Sequence, residues 1–366
     1  MTSAKLISAD SHIVETPDWW VERVDRQYRD QVPRIVENED GSGHTIVNFP
    51  GMKPFPARGY IPNAVGQSPT GSDTGGYWDT PAGAWDPAQR IVDMERDGVV
   101  AEVLYPTIGL RTFTIENPEW RRVCFKAHND RLGDYVAYAP DRLLAISMIE
   151  LDDIPAAIKE LERCVKMGHR GAMISSSPPK DRRYNNPCYD PFWAAAQEMK
   201  IPLSLHVLTG TGQRRLDKAV LADQPLYFRL QYVIELQESL TEMIEGGVFE
   251  RFPDLKVITV EGGVGWMVGF ATNSDFAWLR HQSSLKRKPS DYIKENVFAT
   301  FQQDAGVRAN VLGGFANFMW ANDYPHGDSV WPVSRQVIEK DFAGLPEEDV
   351  RAITCGNAAK AYGVVV

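Results

Sequence analysis

The chain has 366 residues, 43% of them apolar, and a formal net charge of −10. That length buries either one enlarged α/β barrel or two ordinary domains, and the negative field disfavours nucleic acid and anionic membrane surfaces, leaving a small molecule as the expected partner. Four scattered cysteines (Cys124, Cys164, Cys188 and Cys355) form no CxxC pair. Neither a signal-peptide core nor an apolar run of about 18 residues is present, so a cytoplasmic enzyme with reduced thiols is expected.

Along the chain, eight short apolar runs suit buried parallel strands: KLISADSHI, VVAEVLYPT, LLAISMIEL, HRGAMISSS, IPLSLHVLT, LKVITVEGG, VFATFQQD and FANFMWANDYPH. Helical patterns separate most of them, such as DDIPAAIKELERCVKMG, opened by Asp and closed by Gly. This alternation predicts an α/β fold of the (β/α)8 TIM-barrel type, as one domain over residues 1–366, with a doubly wound sheet as the structural rival. Residues 30–84, rich in Gly, Pro, Asn and Ser, are too long for a simple connection and are expected to form a loop or subdomain over the catalytic face. The stretch from Gly210 to Leu230 is a candidate substrate wall or subunit contact, and EEDVRAITCGNAAKAYG a C-terminal helical extension.

Chemistry-bearing residues gather at the ends of these runs. Asp10 and His12 are two apart on a strand, so their side chains leave one face and can converge on an ion, although an Asp at a strand end also caps turns. His206 follows the apolar stretch of the fifth run, where a barrel presents catalytic groups. Glu261 ends the sixth run, and a carboxylate there costs free energy unless it is paired, hydrated or bound to metal. Asp323 and His326 stand at the exit of the eighth, and Asp304 at the end of the seventh is either a reserve ligand or a helix N-cap. Glu15 could reach the site from the first loop but reads better as an exposed loop carboxylate, His128 reads as a helix-face or packing residue whose helix end could approach the mouth, His169 as a residue of the opposite, stability face, and His44 and His281 as solvated.

Taken together, DSHIVE, LHVLTG, VEGGVGW, NDYPHGDSVWP and CGNAAKAYG resemble, nearly end to end, the amidohydrolase-related branch of the amidohydrolase superfamily. The resemblance implies a metal-dependent (β/α)8 barrel with ligands at Asp10, His12, His206 and Asp323. It also implies hydrolase or non-oxidative decarboxylase chemistry, and a homo-oligomer or a hetero-oligomer with a related subunit. The chain departs from the pattern at Asp10-Ser11-His12, where many members have His-x-His, and at Glu261, where decarboxylases of the branch place a His.

With Glu261 and His326 added, the metal set becomes Asp10, His12, His206, Glu261, Asp323 and His326, able to take one or two divalent ions (Zn, Fe or Mn). Two divalent ions against three carboxylates leave one positive charge. The leading expectation is hydrolysis by a metal-bound water, with Asp323 and Glu261 as the catalytic, proton-moving carboxylates. The alternatives are a dinuclear iron or manganese oxygenase, a non-oxidative decarboxylase, and a subunit whose metal is structural.

Overall fold

The computed structural model describes residues 5–41, 43–48, 53–56, 80–210, 225–281, 283–327 and 329–365. Strand β1 (Leu6–His12) is followed by three short strands, β2 (Arg34–Glu37), β3 (His44–Val47) and β4 (Phe55–Pro56), which pair antiparallel as a separate small sheet. The remaining strands are β5 (Val99–Tyr105), β6 (Leu143–Met148), β7 (Gly171–Ile174), β8 (Leu203–His206), β9 (Val257–Val260), β10 (Val297–Phe301) and β11 (Phe318–Trp320). With β1 they form an eight-stranded parallel sheet in the order β1-β5-β6-β7-β8-β9-β10-β11. Each falls inside one of the eight apolar runs, and helices lie between them, so the molecule is a nearly closed (β/α)8 barrel.

These runs are apolar on both faces because both faces are covered. Ile7, Ala9, Val103, Ile146, Met173, Ile258 and Met319 fill the barrel interior. Leu6, Leu104, Ala145, Leu203, Val257 and Phe318 instead join the shell packed between strands and helices. Three helices start on side-chain caps followed by proline. Asp86 caps Pro87–Asp97, Asn117 caps Pro118–Val136 and Asp153 caps Ile154–Lys166, each satisfying amide protons that the first turn leaves orphaned. The C-terminal extension runs through Glu347–Arg351, a π turn at Ala352–Gly356 and Asn357–Tyr362. Its Tyr362 hydroxyl lies 3.3 Å from that of Tyr105 in the interior.

Two features shape the mouth. The β1–β5 register slips between Ser8 and Ser11, which face Glu102 and Leu104. This bulge turns Asp10 and His12 inward after Ile7 and Ala9 have already packed there. Strands β1 and β11 end the strand order, and their seam is bridged above β11 by His12 N–H to Tyr324 O (2.7 Å) and Asp323 N–H to Asp10 O (3.0 Å). The expected cover formed by 30–84 falls largely on residues 49–52 and 57–79, outside the described residues. Most of the 210–230 segment does so as well. Among the described residues no helix is long and apolar enough to cross a membrane.

Candidate metal centre at the barrel mouth

Four strand ends bring the six sequence-selected ligand residues together. His12 Nε2 lies 3.5 Å from Asp10 Oδ1 and 3.3 Å from Asp323 Oδ1, and His206 Nε2 lies 3.7 Å from both Asp10 Oδ1 and Glu261 Oε2. His326 Nδ1 is 3.0 Å from Asp323 Oδ1, and its ring lies 4.0 Å from that of His12. Two overlapping triads have donor atoms close enough to share an ion: Asp10, His12 and His206, and His12, Asp323 and His326.

The backbone fixes the tautomers. His12 Nδ1 donates to Pro106 O and His206 Nδ1 to Val207 O, both at 2.8 Å. Each ring therefore turns a lone pair on Nε2 into the cluster, the tautomer a metal-binding imidazole needs. Asp10 Oδ1, His12 Nε2 and His206 Nε2 are buried and make no hydrogen bond among the described residues. Orphaned buried donors and acceptors are costly, and a divalent cation is the partner this oxygen–imidazole set fits. Asp323 and Glu261 hold left-handed backbone, with φ of +55° and +62°, a strained state for non-glycine residues that functional sites retain.

Electrostatics divides the carboxyls. Burial works to raise the Asp10 pKa, but His12 and His206 hold it well below the usual range. Burial and the neighbouring charge of Asp323 push Glu261 up to about 8. Burial, with His326 beside it, holds the His12 imidazole down to about 3, so it stays neutral. For His206, burial works against protonation, yet the Asp10 carboxylate raises its pKa.

The remaining candidates stand elsewhere. Asp304 bonds backbone instead: Oδ2 accepts from Val264 N and Gly265 N, and Oδ1 from Gly306 N, holding the turn that follows Glu261. Glu15 departs from the expected exposed carboxylate. It is fully buried and accepts from Ile108 N (2.8 Å) and Gly109 N (2.7 Å), because the chain after β1 dives beneath the β5 loop. His128 is a packing residue that accepts from Trp19 Nε1 at 3.0 Å, and His169 is buried away from the cluster. His281 is exposed and His44 partly so.

Residues that sequence reasoning passed over support the ligands. Thr300 Oγ1 donates to Asp10 Oδ2 at 3.2 Å and accepts from Glu261 N at 3.0 Å. Thr107 Oγ1 lies 3.4 Å from His326 Nε2. Asn322, beside Asp323, receives the hydroxyls of Ser8 and Ser11 on Oδ1. Adjacency to Asp323 was the one signal in the sequence that could have singled it out.

A cleft of about 450 Å³ opens on the cluster, lined by Asp10, Glu261, Leu208, Tyr232, Phe301 and Gln302 among others. A larger cavity of about 700 Å³, walled by Trp266, Phe270 and Trp278, contains none of the six residues. The chemistry therefore assigns the smaller cleft as the candidate substrate site.

A parallel barrel with carboxylate and imidazole donors converging at the C-terminal strand ends defines a metal-type (β/α)8 enzyme site. The family model described as Amidohydrolase matches residues 18–364, and the chain belongs to that family. A γ-resorcylate decarboxylase of Rhizobium sp. strain MTP-10005 is 25% identical over 248 residues, covering 62% of this chain and 74% of the relative. Among solved structures, an amidohydrolase from Mycobacterium avium subsp. paratuberculosis superposes with a TM-score of 0.81 at 20% identity, covering 99% of this chain and 100% of that one. A dihydroxybenzoic acid decarboxylase from Polaromonas sp. JS666, with bound manganese and 2-nitroresorcinol, gives 0.67 at 19% identity, covering 98% and 97%. The specific reactions named in these relatives are decarboxylations, so the hydrolytic expectation loses its lead.

Proposed function

We propose that this enzyme is a metal-dependent, non-oxidative decarboxylase of a small hydroxylated aromatic acid. The observation that carries the reading is the buried Asp10–His12–His206 triad, with inward-facing Nε2 lone pairs, opening onto a cleft sized for one substituted ring. Decarboxylases among the relatives supply the substrate class.

Asp10, His12, His206 and Asp323 would hold the ion, which when bound supplies positive charge against the substrate's carboxylate and neighbouring hydroxyl oxygen. The rest is work for side chains. The carbon–carboxylate bond breaks, CO2 leaves, and the electron pair stays on the ring carbon, which must receive a proton. Glu261 fills the place of a proton donor at the cleft: before an ion binds, burial and the charge of Asp323 push its carboxyl up to about 8, toward the protonated form that a general acid needs. This gives a function to the position where the chain departs from the histidine of its branch. Leu230, Tyr232 and Phe301 supply apolar wall for the ring and limit water, which would otherwise stabilise the ground-state carboxylate.

The test is CO2 release from 2,6-dihydroxybenzoate and related hydroxybenzoates by the Mn2+-loaded protein, followed by loss of the acid and appearance of the phenol. Activity is expected to vanish on chelation. It should fall by about 100-fold or more in Glu261→Gln, the scale of a lost general acid. A protein that binds Mn2+ but releases no CO2 from any member of the panel would sink the reading.

A second reading rests on His326. Its contact with Asp323 and its stacking on His12 complete the second triad, so six donors are available for two ions. Two iron or manganese ions per chain, with substrate-dependent O2 uptake and no CO2 release, would establish an oxygenase instead.

A further inference from the structure

We propose that Arg90 is a positioning residue of the metal centre: its buried guanidinium staples the barrel seam between the Asp10–His12 and Asp323 segments and so sets the spacing of their donor atoms. The inference rests on the metal-centre reading above. Arg90 is fully buried in the helix Pro87–Asp97, outside the ligand cluster. Its Nη1 donates to His12 O at 2.8 Å and Gly83 O at 3.3 Å, and Nη2 reaches Tyr324 O at 3.5 Å. Its Nε is paired with the buried Glu102 of β5, and its Cζ lies 4.4 Å from the Tyr324 ring centre.

The carbonyl of Tyr324 is the same one that accepts from His12 N across the seam. One planar group thus grips the backbone of a ligand, His12, and that of the residue following another, Asp323. This five-donor fork is geometry that lysine cannot reproduce. Glu102 extends the staple, because its Oε1 accepts from Asn322 Nδ2 at 3.4 Å. Asn322 Oδ1 in turn accepts from Ser8 Oγ, Ser11 Oγ and Tyr324 N at 2.9, 3.0 and 3.1 Å. The polar network therefore runs continuously behind Asp10, His12 and Asp323.

Two arguments assign this arrangement to positioning rather than to general cohesion. Burying an Arg–Glu pair carries a large desolvation cost, and well-packed apolar side chains would stabilise a core at least as well. The pair also sits where β1 and β11, the two ends of the strand order, must be joined, directly behind the strained backbone of Asp323.

The experiment titrates the full chain with Mn2+ by calorimetry and records the spectrum of bound Mn2+ by electron paramagnetic resonance. Two variants are compared: Arg90→Lys, and the paired Arg90→Gln/Glu102→Gln, which removes both charges while leaving an amide pair too short to reach the seam carbonyls. Arg163→Ala serves as a control that loses ion pairs to Asp130 and Glu160 far from the seam. In folded Arg90 variants, Mn2+ affinity is expected to fall 10- to 100-fold, the usual effect of losing a residue that orients ligands, with an altered Mn2+ line shape. The control should keep both. Unchanged Mn2+ affinity in a folded Arg90 variant, an equal loss in the control, or failure of both Arg90 variants to fold would overturn the proposal. No Mn2+ binding by the wild-type protein would instead overturn the metal-centre reading itself, so the two failures are separable.

Discussion

Glu15 shows how much a single buried carboxyl can shift the pH response of the fold. It accepts two backbone N–H bonds, which favour its charged form, yet burial dominates and pushes its pKa up to about 7 from an ordinary 4.5. The folded state therefore keeps the proton between these values while the unfolded chain releases it, and stability falls as pH rises from 4.5 to 7. The integrated loss is on the order of 3 kcal/mol. His128 acts in the opposite sense: burial lowers it to about 3, so acid draws the chain toward the protonated unfolded state below about pH 6.5. In Glu15→Gln the His128 contribution remains and the carboxyl contribution disappears. Between pH 4.5 and 7.5 the denaturant midpoint of the wild type should therefore fall relative to that of the variant as pH rises; parallel curves would refute the shifted carboxyl. The sequence offered no route to this behaviour, because a Glu three residues past a strand end looks like loop surface until the β5 loop is seen to close over it.

At the scale of elements, the turn after β9 links barrel geometry to the cleft. Asp304 takes three backbone amides from two loops, so the β10 exit holds Val264 and Gly265 in place behind Glu261. The loops touch closely enough that a methyl group on Gly306 would lie 2.4 Å from the Gly265 Cα, which explains glycine at 306. Asp304→Ala is expected to cost about 2 kcal/mol in unfolding free energy, a discounted sum for amides that are partly solvent-exposed. It should also lower turnover by loosening Glu261, whereas Asp304→Asn should retain more of both; unfolding curves and kcat measure the two effects, and a variant with wild-type values would show that the turn is held by other means. The strand positions were legible because barrel strands are buried on both faces, and the helix starts because Asp86, Asn117 and Asp153 precede prolines. Asp304 was legible only as a reserve ligand or a helix N-cap, since two of its three amide partners lie about forty positions away.

Across the whole molecule, the candidate centre is assembled from residues 10 to 326, so only closure of the barrel brings it together. Ligand-type residues at strand ends could be read from the chain because several of them end apolar runs together, although one such carboxylate alone, as Asp304 shows, can equally hold a turn. The network behind them could not: Arg90, Glu102 and Asn322 lie in a helix, a strand and a loop that sequence patterns do not connect. This assembly also concentrates Asp10, Glu261 and Asp323 in one buried region, where burial and the negative charge of Asp323 and Asp10 raise Glu261. A divalent ion binding the folded chain offsets that repulsion and joins the two ends of the strand order, so metal and global stability must be linked. At a free Mn2+ concentration one hundred times its dissociation constant, the expected stabilisation is about 2.7 kcal/mol. This should appear as a melting temperature raised by several degrees and returned to the apo value by chelation. His206→Ala and Asp323→Asn, each removing one donor while leaving the strands intact, should reduce or abolish the increment. Scanning calorimetry with and without Mn2+ decides the matter: identical melting in millimolar Mn2+ and in chelator would mean that these side chains do not form a metal centre.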